Sequence, residues 1–262
     1  EALAGFDALT NGFDPQGPDY ATLDEGSVVA GRSFNDNRFV FEEVENASEG
    51  LGPTYNAQSC RECHQNVVTG GASQVTEQRT GHLRNGTFFE SQGGSLIASR
   101  ATYAEAMELV APEDDIRTFR ISTNTLGAGY VEAVSNATLL ALRDGQPPAM
   151  RGTAVLVPVL EANGQARVGR FGWKSQHASL ESFSADAYLN EMGVTSPLLP
   201  TENSASGRDV SAYDPVPDPE DKGEDVKAFA NFMRSTKAPS RGPVGADAQL
   251  GERLFTQVGC AI

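Results

Sequence analysis

The sequence predicts a mainly α-helical fold with long loops and one small β-hairpin insertion. Three observations predict it. Apolar side chains recur at helical spacing in six separate segments. Only two segments carry the alternation or the turn chemistry of strands. The 27 glycines and 14 prolines among 262 residues require many turns between the elements.

Residues 1–30 are rich in Gly and Asp and are expected to be irregular. Residues 35–45 form the first expected helix, with Phe39, Val40 and Val44 as its packing face. Residues 65–97 read as loops, punctuated by Gly70-Gly71, Asn85-Gly86 and Gly93-Gly94. A second helix is expected over residues 98–110, stopped before Pro112. Residues 116–122 alternate and read as a strand. Residues 128–142 are apolar and helical, interrupted at Ser135-Asn136, a cap for a further helix. Two strand-like runs within residues 153–171 flank Asn163-Gly164, a pair that favours a tight hairpin turn. Leu180, Phe183, Ala187 and Glu191 share related faces of a helix over residues 179–192. An acidic loop follows over residues 193–223. Then Val226, Phe229, Ala230 and Met233 mark an amphipathic helix. Residues 236–245 read as a linker. The expected division is therefore a first unit over 1–240 and the start of a second over 241–262.

Lys and Arg number 20 against 35 Asp and Glu, a net charge of −15. Such a surface repels a phosphate backbone, so nucleic acid is not an expected partner. It suits solvation, or docking to a basic redox protein. No apolar run approaches the roughly 18 residues needed to span a bilayer. The start at Glu1-Ala2-Leu3 is compatible with a removed export signal.

One motif carries chemistry. Residues 59–64 read Ser59-Cys60-Arg61-Glu62-Cys63-His64. Cys-x-x-Cys-His is the attachment pattern of haem c. Two thiols three residues apart on one helical turn can each form a thioether to one of the two haem vinyl groups, and the next residue supplies the proximal imidazole. A zinc site would want a second Cys or His pair, and the chain has none at matching spacing. A redox dithiol would follow a strand of a βαβ unit, whereas the Gly- and Pro-bearing residues 50–56 form a loop. Thioether formation belongs to extracytoplasmic maturation, so the expected location is periplasmic or otherwise outside the cytoplasm. At the far end, Leu250, Leu254 and Val258 recur every four residues ahead of Gly259-Cys260. This resembles the approach to a second attachment motif, of which Cys260-Ala261-Ile262 are the first three positions. The expected architecture is thus cytochrome c-like haem domains, the second truncated.

Residues 50–64, 81–101, 126–134, 169–197 and 251–260 together resemble the di-haem oxidoreductases once described as thiol oxidoreductases, relatives of bacterial di-haem cytochrome c peroxidases and MauG-type enzymes. The stretch over 169–197 is the most specific. The resemblance implies an N-terminal haem at which peroxide reacts and a C-terminal haem that receives electrons from a small redox protein. It implies that Trp173, the only tryptophan, assists transfer between them. It also implies that Glu191, in the pair Glu191-Met192, acts beside the peroxidatic haem, although the spacing from Trp173 is about two residues shorter than in the relatives. Moving a proton between peroxide oxygens suits a positioned carboxylate. Two histidines remain as candidates for the sixth iron ligand. His82 stands 18 residues after His64, near where the relatives carry a displaceable distal histidine. The alternative is His177. Met107, Met150, Met192, Met233, Tyr55 and Tyr188 are weaker choices. The expected function is an extracytoplasmic di-haem c oxidoreductase reducing peroxide or a similar small oxidant, with a non-catalytic electron-transfer cytochrome as the alternative. No compact oxygen-ligand loop calls for calcium.

Overall fold

The computed structural model describes residues 34–66, 68–238 and 242–262. The irregular segment expected over 1–30 lies outside the described residues. The expectation of a mainly α fold is overturned: 33% of the described residues are helical and 17% are strand. Among the described residues, seven α-helices accompany eight short strands in three antiparallel sheets.

Helix α1 (Phe34–Glu42) is followed by β1 (Thr54–Tyr55) and the single turn α2 (Cys60–Cys63). Strand β2 (Thr76–Arg84) comes next, with β3 (Thr87–Phe89), β4 (Leu96–Ile97), β5 (Arg100–Ala101) and β6 (Ile116–Ile121). Then come α3 (Ala128–Glu132), α4 (Asn136–Gly145), the hairpin β7 (Leu156–Val159) and β8 (Gln165–Val168), α5 (Leu180–Ala187), α6 (Glu224–Ser235) and α7 (Ala246–Gln257).

The largest departure from the sequence reading is β2. Its first half pairs with β6 from Thr76↔Ile121 to Gly81↔Ile116, and with β4 through Gln78↔Ile97. Its second half pairs with β3 through His82↔Phe89. This strand was hidden because neither of its faces is an apolar stripe. The helix expected over 98–110 is also absent. Arg100–Ala101 pairs with Thr54–Tyr55 instead. The buried Glu108 carboxylate accepts from the backbone N–H of Ala98 at 2.5 Å and of Ala205 at 2.6 Å. That buried carboxylate ties distant backbone together, and helical propensity gives way to tertiary contact.

The core is built by α1, α5 with the turn after it, and α6, through Phe34, Phe41, Leu180, Tyr188, Val226, Phe229 and Phe232. Helix α1 buries Phe34 and Phe41, whereas Phe39 and Val44 of the expected face are 57% and 62% exposed. The amphipathic face expected of α6 is buried as foreseen. Ser135 caps α4 by accepting from the Thr138 N–H at 3.1 Å. Asn163 and Gly164 both take positive φ (54° and 75°) in the hairpin turn, although the loop closes on Val159↔Gln165 and is longer than two residues. Leu250 and Leu254 in α7 and Val258 just after it are exposed. One ion pair is sealed inside the fold: Arg234 on α6 donates to Glu132 on α3 through Nε at 2.8 Å and a terminal nitrogen at 3.1 Å. Glu132 also accepts from the Leu180 N–H that opens α5. No described helix is long and apolar enough to cross a membrane.

Candidate functional site

The segment before α2 is fastened to the turn that follows α5. Residues Tyr188–Met192 form a π-helical turn, a backbone variant found frequently at functional sites. The Glu191 carbonyl accepts from the N–H of Asn56 at 2.7 Å and of Ala57 at 3.1 Å, and the Met192 carbonyl accepts from Gly52 at 2.9 Å. The turn ends at Gly193 (φ 70°), where a Cβ would meet the carbonyl oxygens of Gly52 and Thr54 at 2.7 Å. Only glycine allows the two segments this close approach. The Cys-bearing turn and Glu191 are thereby held in one frame.

Ser59 caps α2, its hydroxyl accepting from the Glu62 N–H at 3.2 Å, while the Glu62 carboxylate accepts from the Gln58 N–H at 2.8 Å. This reciprocal arrangement makes a stable helical turn out of only four residues. His64 follows directly. Its Nδ1–H donates to the Gly71 carbonyl at 3.2 Å, which leaves Nε2 as the lone-pair nitrogen. Burial lowers the His64 pKa, against the Gly71 and Thr123 carbonyls that favour the charged form. The ring is therefore neutral at physiological pH, the state in which imidazole binds metal.

Cys60, Cys63 and His64 stand on the wall of one cavity of about 540 Å³, a size typical of cofactor and ligand pockets. Phe41, Tyr188, Phe229, Met192 and Met233 supply apolar wall, and Trp173, 56% exposed, stands on the same wall. Both cysteines are free. Burial first, then proximity to Cys63, pushes the Cys60 thiol up to about 12, and burial followed by Glu191 and Glu62 pushes Cys63 to about 11. A redox dithiol works through a lowered thiolate pKa, and this pair has the opposite character. Two protonated thiols beside a neutral imidazole, facing one cavity with an apolar wall, fit covalent haem c. Cys60 and Cys63 would add their S–H groups across the two vinyl bonds, and His64 would offer Nε2 to the iron.

Opposing charges line the cavity as well. Glu191 accepts from Asn56 Nδ2 at 2.9 Å through Oε2, and its Oε1 lies 3.8 Å from an Arg79 nitrogen. Arg79 in turn grips Glu77 with two hydrogen bonds, at 2.9 and 2.8 Å. Glu77 and Arg79 are two apart on β2 and so share a face. Burial, then the adjacent Glu77 carboxylate, pushes Glu191 up to about 8. Burial acts upward on Glu77 too, but hydrogen bonds from Glu191 and Arg79 hold it below its ordinary value. Glu77 and Arg79 were not foreseen from sequence, because their strand was read as loop.

Neither His82 nor His177 lies on this wall. His82 is buried on β2 with Nδ1 2.8 Å from Asp114 Oδ1, and its Nε2 has no partner. Burial would raise the Asp114 pKa, yet hydrogen bonds from His82, Thr80 and Ser91 hold it low. His177 Nε2 lies 3.2 Å from Asp186 Oδ2. Cys260 is exposed, in the turn after α7. The acidic loop brings the carboxylates of Glu202, Asp214, Asp218 and Glu220 within 4.8 Å of one another, and none of the four is on the cavity wall. Burial and then repulsion from those neighbours raise Glu202 to about 9, so the cluster relieves its charge by keeping a proton.

A family model described as "Di-haem oxidoreductase, putative peroxidase" matches residues 88–262. That span contains Trp173, Glu191 and Cys260 and begins after the Cys60–His64 motif. No curated protein and no solved structure matches the chain.

Proposed function

The chain belongs to the di-haem oxidoreductase family, and on that premise we propose that it is an extracytoplasmic c-type oxidoreductase that reduces peroxide or a similar small oxidant. The observation that carries this reading is the meeting of Cys60, Cys63 and His64 with Glu191 and Arg79 around one cavity. Cys60, Cys63 and His64 would hold the haem, which would supply a redox iron for splitting an O–O bond with electrons delivered from the donor protein. The overall reaction takes peroxide, two electrons and two protons to two waters.

The chain's own residues manage the protons. Glu191 holds one at neutral pH and gives it to the leaving oxygen, and is then recharged from the other oxygen or from solvent. General acid catalysis of this kind contributes typically about 10²–10⁴-fold. The Arg79 guanidinium steadies the negative charge that builds on the leaving oxygen. The apolar wall from Phe41 to Met233 limits water around the reacting atoms. Trp173, an exposed residue of the cavity wall, is the proposed route for electrons arriving from a second haem attached through Cys260 in a second unit that starts near residue 241. Thioether maturation would put the protein in the periplasm or an equivalent compartment, where the acidic surface would suit a basic electron donor.

His82 has the outfit of an iron ligand, with Asp114 orienting one ring nitrogen and the other unpartnered. Because it stands off the cavity wall, ligation needs β2 to shift. If His82 closes the iron in the resting state, His82→Ala makes the oxidised protein high-spin by EPR and able to bind cyanide at once. Unchanged spectra and cyanide binding remove His82 from the iron. One observation favours the electron-carrier alternative: the thioethers of Met192 and Met233 line the same cavity, and either is a competent permanent ligand. Iron that stays low-spin in every redox state, without peroxide turnover, would establish that alternative.

A further inference from the structure

We propose that Glu202, Asp214, Asp218 and Glu220 form a structural calcium site that pins the acidic loop over residues 193–223 beside the start of α6. Each side chain offers a carboxylate oxygen, and these oxygens all lie within 4.8 Å of one another. Like charges do not gather so closely without compensation. A second observation points to a ligand. Both carboxylate oxygens of Glu202 and Oε1 of Glu220 are buried, and among the described residues none of the three has a hydrogen-bond partner. Buried carboxylate oxygens without partners are costly and call for a proton, a water or a cation. The charged groups that act on Glu202 are Glu220, Asp218 and Asp214, all of its own sign, and none of them supplies positive charge.

The donor set selects the ion. It is all oxygen, with no histidine or cysteine, which favours calcium, magnesium or manganese over zinc and copper. Ligands facing each other across calcium stand roughly 4.6–5.2 Å apart, and across magnesium only roughly 4.0–4.2 Å. A span of up to 4.8 Å fits the larger ion. The carboxylates are already oriented from outside. The Thr195 hydroxyl donates to Asp218 Oδ1 at 2.8 Å, the Thr195 N–H donates to Glu220 Oε2 at 2.8 Å, and the Val216 N–H donates to Asp214 Oδ1 at 3.1 Å. Such outer contacts fix ligands for a metal, and they leave Glu220 Oε1 and both Glu202 oxygens for the ion. Asp218 is exposed and gives the ion a way in. Calcium displaces the proton that Glu202 otherwise keeps. Residues 202 and 214–220 lie apart in sequence, so no compact ligand loop announces the site. The next residue, Asn203, donates to the Gly93 carbonyl at 3.0 Å and to Asn190 Oδ1 at 2.7 Å on the wall of the cavity. The ion would thus brace that wall.

Calorimetric titration and thermal unfolding of the haem-loaded protein, stripped with a chelator and then given calcium chloride, test the site. The expected result is one calcium per chain with a Kd below about 1 mM, and a Tm higher by about 5 °C or more at saturating calcium. Magnesium chloride at the same concentration gives less than half of that rise. Glu202→Gln removes the buried charge, so in chelator it melts above the wild type, and calcium adds nothing to it. Asp218→Asn, at an exposed position that the fold does not depend on, weakens calcium binding by about tenfold or more. Three results overturn the proposal. One is no binding and no stabilisation at millimolar calcium, which leaves the cluster to its proton. Another is an undiminished calcium response in Glu202→Gln and Asp218→Asn, which puts the ion elsewhere on the acidic surface. The third is a response to magnesium as large as that to calcium. The site stands or falls independently of the peroxidase reading.

Discussion

Glu191→Gln should lower the turnover of peroxide by about 10²–10⁴-fold while leaving haem attachment and the fold intact. Gln is nearly isosteric and keeps the contact with Asn56, but it has no transferable proton. The wild-type protein should also show a pH limit set by this group. Burial, followed by Glu77, raises the Glu191 pKa to about 8, so the proton is present below that pH and lost above it. Activity should therefore hold from neutral pH down to where other groups titrate, and fall as pH rises through about 8. Stability should follow the same direction. The folded state binds this proton more tightly than the unfolded chain, whose carboxyl titrates near 4.5. The favourable contribution is complete below 4.5 and is lost as pH climbs through 8. Steady-state turnover against pH, with the variant alongside, checks both statements. Wild-type turnover in the variant, with the alkaline limit unmoved, would remove Glu191 as the acid.

Glu132→Ala should destabilise the protein by about 3–5 kcal/mol, the cost of leaving a buried partner charge alone. Arg234 is 1% exposed and Glu132 is 3% exposed, so neither side chain can recruit bulk water without opening the core. Removing Glu132 also orphans the Leu180 N–H at the start of α5. That helix leads into the turn bearing Glu191, so the damage should spread to the site. The double variant Glu132→Leu with Arg234→Met should lose much less than the single one, because no uncompensated charge remains. Denaturant midpoints at constant haem content measure this. A loss below about 1 kcal/mol for Glu132→Ala would mean that the pair is open to solvent.

What could be read from sequence was what lives in local spacing. Cys60, Cys63 and His64 need only one helical turn to meet, and the turn forms because Ser59 and Glu62 cap it from within the motif. Helix α6 showed its buried face because Val226, Phe229, Ala230 and Met233 stay in phase with one packed surface. Asn163-Gly164 announced a turn because both residues tolerate positive φ. Most of what stayed hidden depends on partners far along the chain; the exception is the β2–β3 hairpin, closed by Asn85-Gly86. Strand β2 alternates polar with polar, since one end of it lines a charged cavity, and hydrophobic period cannot reveal such a strand. With it went Glu77 and Arg79. The span over 98–110 has the composition of a helix, but Glu108 hydrogen-bonds to Ala98 and Ala205, and no local rule contains residue 205. In α1 the choice between Phe39 and Phe41 rests on which side α6 approaches. The mainly α expectation failed for these reasons together: apart from β3, which meets β2 across the tight turn Asn85-Gly86, the missed strands pair across long stretches of chain.

The account depends above all on a porphyrin joined to Cys60 and Cys63. Intact mass of the unfolded protein, produced in cells that mature c-type cytochromes, tests this most directly. The polypeptide of residues 1–262 should be heavier by one haem, with the visible absorption surviving denaturation and both lost in a Cys60→Ala, Cys63→Ala variant. A colourless protein with the mass of the bare chain would contradict it.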